Sequence, residues 1–98
     1  MIKLTKISKA FSDNNRLKIL DFLSDGQKNV TQVADNLKVE ENLASHHLRV
    51  LADLGFLKNM KKGRQVFYRI NEPRFVSLIK TISSNPAFRD LIEKALSE

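Results

Sequence analysis

Two runs of helical hydrophobic spacing follow one another with a four-residue break between them. Val30, Val33, Ala34 and Leu37 fall at i, i+3, i+4 and i+7, one face of a short helix over about Thr31–Lys38. Leu43, Ala44, Leu48, Val50, Leu51 and Leu54 are the apolar set of a longer helix that Gly55 ends. Residues 38–41 leave room for a tight turn only, so Thr31–Leu54 reads as short helix, turn, longer helix. Glu40 or Asn42 can start the second helix, and Glu40 and Glu41 suit its positive end as caps. A glutamate there could instead accept a hydrogen bond from cytosine N4.

The hydrophobic period then changes. Val66, Tyr68 and Ile70 alternate with Phe67 and Arg69, the signature of a strand, and Phe56-Leu57-Lys58 is its partner. Lys61-Lys62-Gly63-Arg64 between them is a basic hairpin loop with Gly at the turn. Upstream, Leu4, Ile7 and Ala10 mark a helix over Ile2–Ala10, and Asp13 is placed to cap a second helix over Arg16–Ser24. Leu17, Ile19, Leu20 and Leu23 of that helix point mostly inward, and Asp25-Gly26 stops it. Downstream, Pro73 opens a helix through Phe75, Leu78, Ile79 and Ile82. Ser83–Pro86 breaks it, and Phe88, Leu91, Ile92 and Ala95 form the stripe of a last helix over Ala87–Leu96. The fold class is mainly α with a small β-hairpin, in the order α1-α2-α3-α4-β-wing-β-α5(-α6). This is a winged helix-turn-helix.

With 98 residues and no linker, positions 1–98 make one domain, short enough that association with a second copy is an expected aid to stability. There is no cysteine, which removes disulfides, thiolate metal ligands and cysteine nucleophiles together. No apolar run reaches the ~18 residues of a membrane span. Met1–Phe11 alternates lysines with apolar residues and does not read as a signal peptide, so the expected location is cytoplasmic. No Gly-rich phosphate loop, nucleophile with a base or metal pair supports an enzyme, and no cofactor is implied.

The net charge of +6 favours a polyanionic partner, nucleic acid first. It is unevenly spread. Lys58–Arg74 holds six basic residues against one acid, whereas Asp25–Leu57 holds three basic and five acidic, a net of −2. On the longer helix, Asn42, Ser45, His46 and Arg49 share one polar stripe opposite Ala44, Leu48 and Leu51. Such a helix fits the DNA major groove, where Asn reads adenine and Arg reads guanine or a phosphate. A basic wing can lie on phosphates or in the minor groove.

Three segments resemble the arsenic-repressor (ArsR) family of winged-helix regulators. Ser12-Asp13-Asn14-Asn15-Arg16-Leu17-Lys18-Ile19-Leu20 is similar to the family's opening Asp-Pro-Thr-Arg-Leu-Arg-Ile-Leu stretch. Ser45-His46-His47-Leu48-Arg49-Val50-Leu51 with Gly55 is similar to its Ser-x-His-Leu signature, and Gly63–Ile70 resembles its wing. The resemblance covers about Ala10–Ile79. It implies a homodimer, with first and last helices packed across the two-fold axis, bound to an inverted-repeat operator in double-stranded DNA as a repressor. Carried over by position, Asn42, Ser45, His46 and Arg49 face the major groove and Lys62 and Arg64 sit at the wing tip. Thr31 and Gln32 meet a phosphate through amides and side chains, and His47 packs beneath the recognition helix.

The metal positions of the family are changed. Where many relatives have a Cys-Val-Cys pair, this chain has Asn29 and Thr31. Where others use Asp and His after the wing with His and Glu later, it has Asn71, Glu72, Arg74, Asp90 and Glu93. His46 and His47, the only histidines, are neighbours about 100° apart on a helix and do not clasp one ion. No metal site is expected. The residues neither require nor exclude a small-molecule effector. A second functional reading, a winged-helix protein-interaction module with weak non-specific DNA affinity, draws on the net −2 middle segment. Steep salt dependence of DNA binding separates the two.

Overall fold

Asp13 switches the chain into helix, its carboxylate accepting from the amides of Asn15 at 2.8 Å and Arg16 at 3.4 Å. The computed structural model describes residues 4–97, apart from the side chains of residues 4, 5, 7, 92, 95 and 96. In chain order the elements are α1 (Leu4–Phe11), α2 (Asn14–Phe22), a 3-10 turn (Leu23–Asp25), β1 (Lys28–Asn29), α3 (Val30–Leu37), α4 (Glu41–Asp53), β2 (Leu57–Lys62), β3 (Gln65–Ile70), α5 (Glu72–Ser83) and α6 (Pro86–Leu96). The helical order, the hairpin and the winged helix-turn-helix class are those expected. Ile2 and the stripe side chains Leu4, Ile7, Ile92 and Ala95 lie outside what is described.

Several details differ from the sequence reading. The second helix does not run on to Ser24; it tightens to 3-10 geometry at Leu23 before Gly26. The wing strand β2 extends to Lys62, so Lys61 and Lys62 belong to the strand and the connecting turn is Gly63-Arg64 alone. A third strand, β1, pairs antiparallel with β3, giving the order β1-β3-β2. It has two residues, too few to show any alternation. Leu17, read as mostly inward, is 43% exposed, and Leu43 of the α4 apolar set is 42% exposed.

The core lies where α2, α3 and α4 meet the base of the sheet, and includes Ile19, Leu23, Val33, Ala44, Leu48, Leu51, Phe56 and Tyr68. Phe56, just past Leu54-Gly55 at the end of α4, is fully buried. Its ring lies 5.8 Å from Phe11 of α1 and 5.3 Å, edge-on, from Phe75 of α5. One side chain therefore joins the first helix, the end of α4 and the helix after the wing. Phe56→Ala is expected to cost about 3–5 kcal/mol, a large share of a small domain's stability, read as a drop in the urea midpoint followed by circular dichroism.

Candidate nucleic-acid interface

The start of α3 is a junction of three elements. Asn29 caps it, accepting the Gln32 amide at 2.8 Å, while Gln32 Oε1 accepts the Asn29 amide at 2.8 Å. This reciprocal capping box satisfies free donors of the first turn. Thr31 Oγ1 donates to Glu41 Oε1 at 2.7 Å, tying α3 to the first turn of α4. Asn29 Nδ2 reaches Gln65 Oε1 at 3.5 Å, at the wing. Thr31 and Gln32 are exposed, as a phosphate contact requires. In the free protein, however, the Thr31 hydroxyl and the Gln32 amide and side-chain oxygen already have partners.

Between the two helices Lys38 takes the left-handed conformation, φ 57, and closes α3 on the carbonyls of Ala34 and Asp35. Glu40 is the N-cap of α4, but its side chain makes no capping hydrogen bond. The cap role expected of the glutamates is thus carried by backbone conformation, and Glu41 is engaged by Thr31 instead. Along α4, Ala44, His47, Leu48 and Leu51 are buried. Asn42, His46 and Arg49 are exposed, and Ser45 is half-buried at the edge of their stripe.

The wing projects from this body. Lys62 pairs with Gln65 to close a two-residue turn in which Gly63 has φ 61. Positive φ at the first central residue is what a primed hairpin turn needs, and Gly supplies it without Cβ strain. Lys62 and Arg64 are both exposed, and Lys62 Nζ also lies 5.2 Å from the Phe67 ring centroid. Lys58 faces Arg69 directly across the strands. Like charges so placed repel, and an anion on that surface relieves them.

Two residues that the sequence reading did not place at the interface anchor the far end of α4. Asn71 Nδ2 donates to the Gly55 carbonyl at 2.7 Å, and the Asn71 amide donates to the Phe56 carbonyl at 2.9 Å. Gly55 has φ 92, and a Cβ there would run into the Arg74 guanidinium. A glycine after a helix followed by an Asn-x-Pro helix start was the available signal. Only the fold shows that the two ends meet.

The family profile described as "Bacterial regulatory protein, arsR family" matches residues 13–59. A Methanocaldococcus jannaschii HTH-type transcriptional regulator is 38% identical over 82% of this chain and 91% of its own length. The chain belongs to the ArsR family. A cadmium resistance transcriptional regulatory protein CadC homolog of Staphylococcus aureus is 37% identical over 79% of this chain, which spans 64% of that relative's length. The transcriptional repressor SdpR of Bacillus subtilis is 31% identical, over 69% of this chain and 76% of its own. An ArsR-like transcriptional regulator from Rhodococcus sp. RHA1 superposes with a TM-score of 0.77 at 26% identity, covering 96% of this chain and 86% of its own. The homodimeric winged helix-turn-helix DNA-binding domain Mb0332 of Mycobacterium bovis does so with 0.67 at 26%, covering 83% and 78%. This ArsR-family chain is thus a winged-helix DNA-binding regulator from a family of transcriptional repressors, not of enzymes.

The two residues at the family's cysteine positions are engaged within the chain. Asn29 is spent on the helix cap and Thr31 on Glu41. Among the described residues no three His, Cys, Asp or Glu side chains come together to hold an ion.

His47 lies under α4, as the ArsR resemblance implied. It is 5% exposed, its Nε2 is 4.0 Å from Asp13 Oδ1, and its buried Nδ1 has no partner among the described residues. Burial lowers its pKa below 6.5; the Asp13 carboxylate opposes this, and Arg16 and His46 add to it. Partial burial pushes Asp13 up, but the Asn15 amide, the His47 charge, and the amide and charge of Arg16 outweigh it and hold it below 3.8. The His47–Asp13 contact is therefore an ion pair only when His47 is protonated.

As pH falls, the unfolded chain takes up the histidine proton before the folded one does. The stability tied to neutral His47 is complete above about pH 6.5 and is lost on acidification below it. Urea midpoints are expected to fall between about pH 7.5 and pH 5, and His47→Gln to flatten that fall. A wild-type midpoint that rises on acidification contradicts it.

Proposed function

We propose that the protein is a homodimeric, sequence-specific repressor that binds an inverted-repeat operator in double-stranded DNA. The observation that carries this reading is the two-sidedness of α4. One face is locked into the core through Ala44, Leu48 and Leu51. The other presents Asn42, His46 and Arg49, with Ser45 at its edge, to solvent. On this reading these four side chains meet base edges in the major groove. Lys62 and Arg64 neutralise phosphates at the wing, and Thr31 and Gln32 contact the backbone at the start of α3.

The dimer reading draws on α5 and α6. Val76 and Ile79 on α5 are 49% and 58% exposed, and Phe88 and Leu91 on α6 are 47% and 60% exposed. That much apolar surface on a small chain fits cover by a second copy, and Mb0332 is described as homodimeric. Two-fold symmetry then matches an inverted-repeat operator. No helix of the described residues is long and apolar enough to cross a membrane. Acting on chromosomal DNA, the protein works in the cytoplasm. An effector, if one is used, would be a small molecule rather than a metal.

Fluorescence anisotropy against the promoter fragment upstream of its own gene, with random DNA of equal length, tests the reading. A preference of at least ~10³ for the promoter at about physiological salt is the expected result. Arg64→Ala should weaken binding to both duplexes, while Asn42→Ala should mainly erode the preference. Equal losses from both variants on both duplexes would take base reading away from Asn42. Weak, salt-sensitive binding to both without preference would leave either a different operator or the protein-interaction module, which a partner pull-down separates.

Zinc or a chelator is expected to leave DNA affinity unchanged. A reproducible tenfold shift, about 1.4 kcal/mol of coupling, would overturn the absence of metal control.

A further inference from the structure

The first turn of α4 carries an anion of its own against the place where a DNA backbone would sit. A helix N-terminus with free amides and a hydroxyl is where a phosphate binds. At the start of α3 two of those groups are taken: the Gln32 amide by Asn29 at 2.8 Å, and the Thr31 hydroxyl by the Glu41 carboxylate at 2.7 Å. Glu41 is exposed, and among the described residues no cation pairs with it. It is also not needed as the cap of its own helix, since Glu40 holds that position. Acids outnumber bases five to three over Asp25–Leu57, so the surroundings do not neutralise it. It stands directly before Asn42, at the end of the recognition helix that approaches base edges.

We propose that Glu41 is a specificity-determining residue. In the free protein its carboxylate holds the Thr31 hydroxyl that a phosphate would use. It therefore weakens binding to every duplex alike, by occupying a donor and by repelling the backbone. On the right sequence it leaves Thr31 and accepts a hydrogen bond from cytosine N4, so that the penalty is offset there and nowhere else. The inference rests on the DNA-reading function proposed above.

The test is Glu41→Gln, which keeps an oxygen able to accept from Thr31 and removes only the charge. Two duplexes serve as probes: one of random sequence, and the one most enriched by the wild-type protein from a randomised pool. Anisotropy is measured across a salt series. E41Q is expected to bind the random duplex at least about fivefold tighter, with a salt slope steeper by about one. The selected duplex should gain less, so the preference falls. Glu41→Ala, which has no acceptor at all, should lose a cytosine from each half-site when it selects from the same pool. Random-duplex affinity and slope within about twofold of wild type overturn the inference. So does equal tightening on both duplexes. In either case a wild-type preference between the duplexes leaves the DNA-reading function standing. A wild-type protein without preference overturns that function, and this inference with it.

Discussion

The orientation of α4 about its own axis decides what this protein can touch. Ala44, Leu48 and Leu51 are fully buried on one side, and each step along a helix turns the side chain by about 100°. Rotating α4 to bring another stripe outward would pull these residues into water and push Asn42 or Arg49 into the core. Either change costs several times the strength of a single surface contact. The outward polar face of α4 is thus a by-product of core packing. Small Ala44 at the inner surface lets α4 lie close to its neighbours, and Phe56 just past the helix fixes where its far end rests.

Both ends of α4 are held by other parts of the chain. At its start, Thr31 grips Glu41, and the same turn of α3 reaches the wing through Asn29 and Gln65. At its finish, Asn71 grips the Gly55 carbonyl and Arg74 lies over the glycine. The polar stripe of α4, the first turn of α3 and the base of the wing are therefore tied to one another. The helix that follows the wing also carries the exposed Val76 and Ile79. His47 packs on the inner face of α4, where its Nδ1, without a partner among the described residues, and its approach to Asp13 make the contact with the start of α2 sensitive to a proton.

Much of this was legible in the residues. Val30–Leu37 and Leu43–Leu54 show the helix pair because their period is strong, and Asp13 announces a cap by its chemistry. The polar stripe of Asn42, His46 and Arg49 follows from spacing alone, once Leu48 and Leu51 are assigned inward. What was not legible depends on partners distant in sequence. β1 is two residues long and exists only because β3 lies beside it. The internal partners of Thr31 and Gln32, Glu41 and Asn29, are not announced by the local sequence. Leu17 and Leu43 obey the helical period, yet sit at the edge of their stripes, where periodicity does not fix depth. Lys38 adopts a left-handed turn without glycine, which no local preference announces.

The two-residue wing turn constrains how this protein can diverge. Lys62 is paired with Gln65 across Gly63-Arg64, so there is no slack in which to absorb an inserted residue. One extra residue in either strand would carry every wing side chain beyond it to the opposite face of the ribbon. A descendant with a longer reach must therefore grow its wing in matched pairs, one residue from each strand, or two at a time where the facing of the tip is to be kept. Substitution is the easier path: the loop can trade the exposed Arg64 for another side chain at little cost to the fold, whereas a change of length disturbs the register of the whole ribbon.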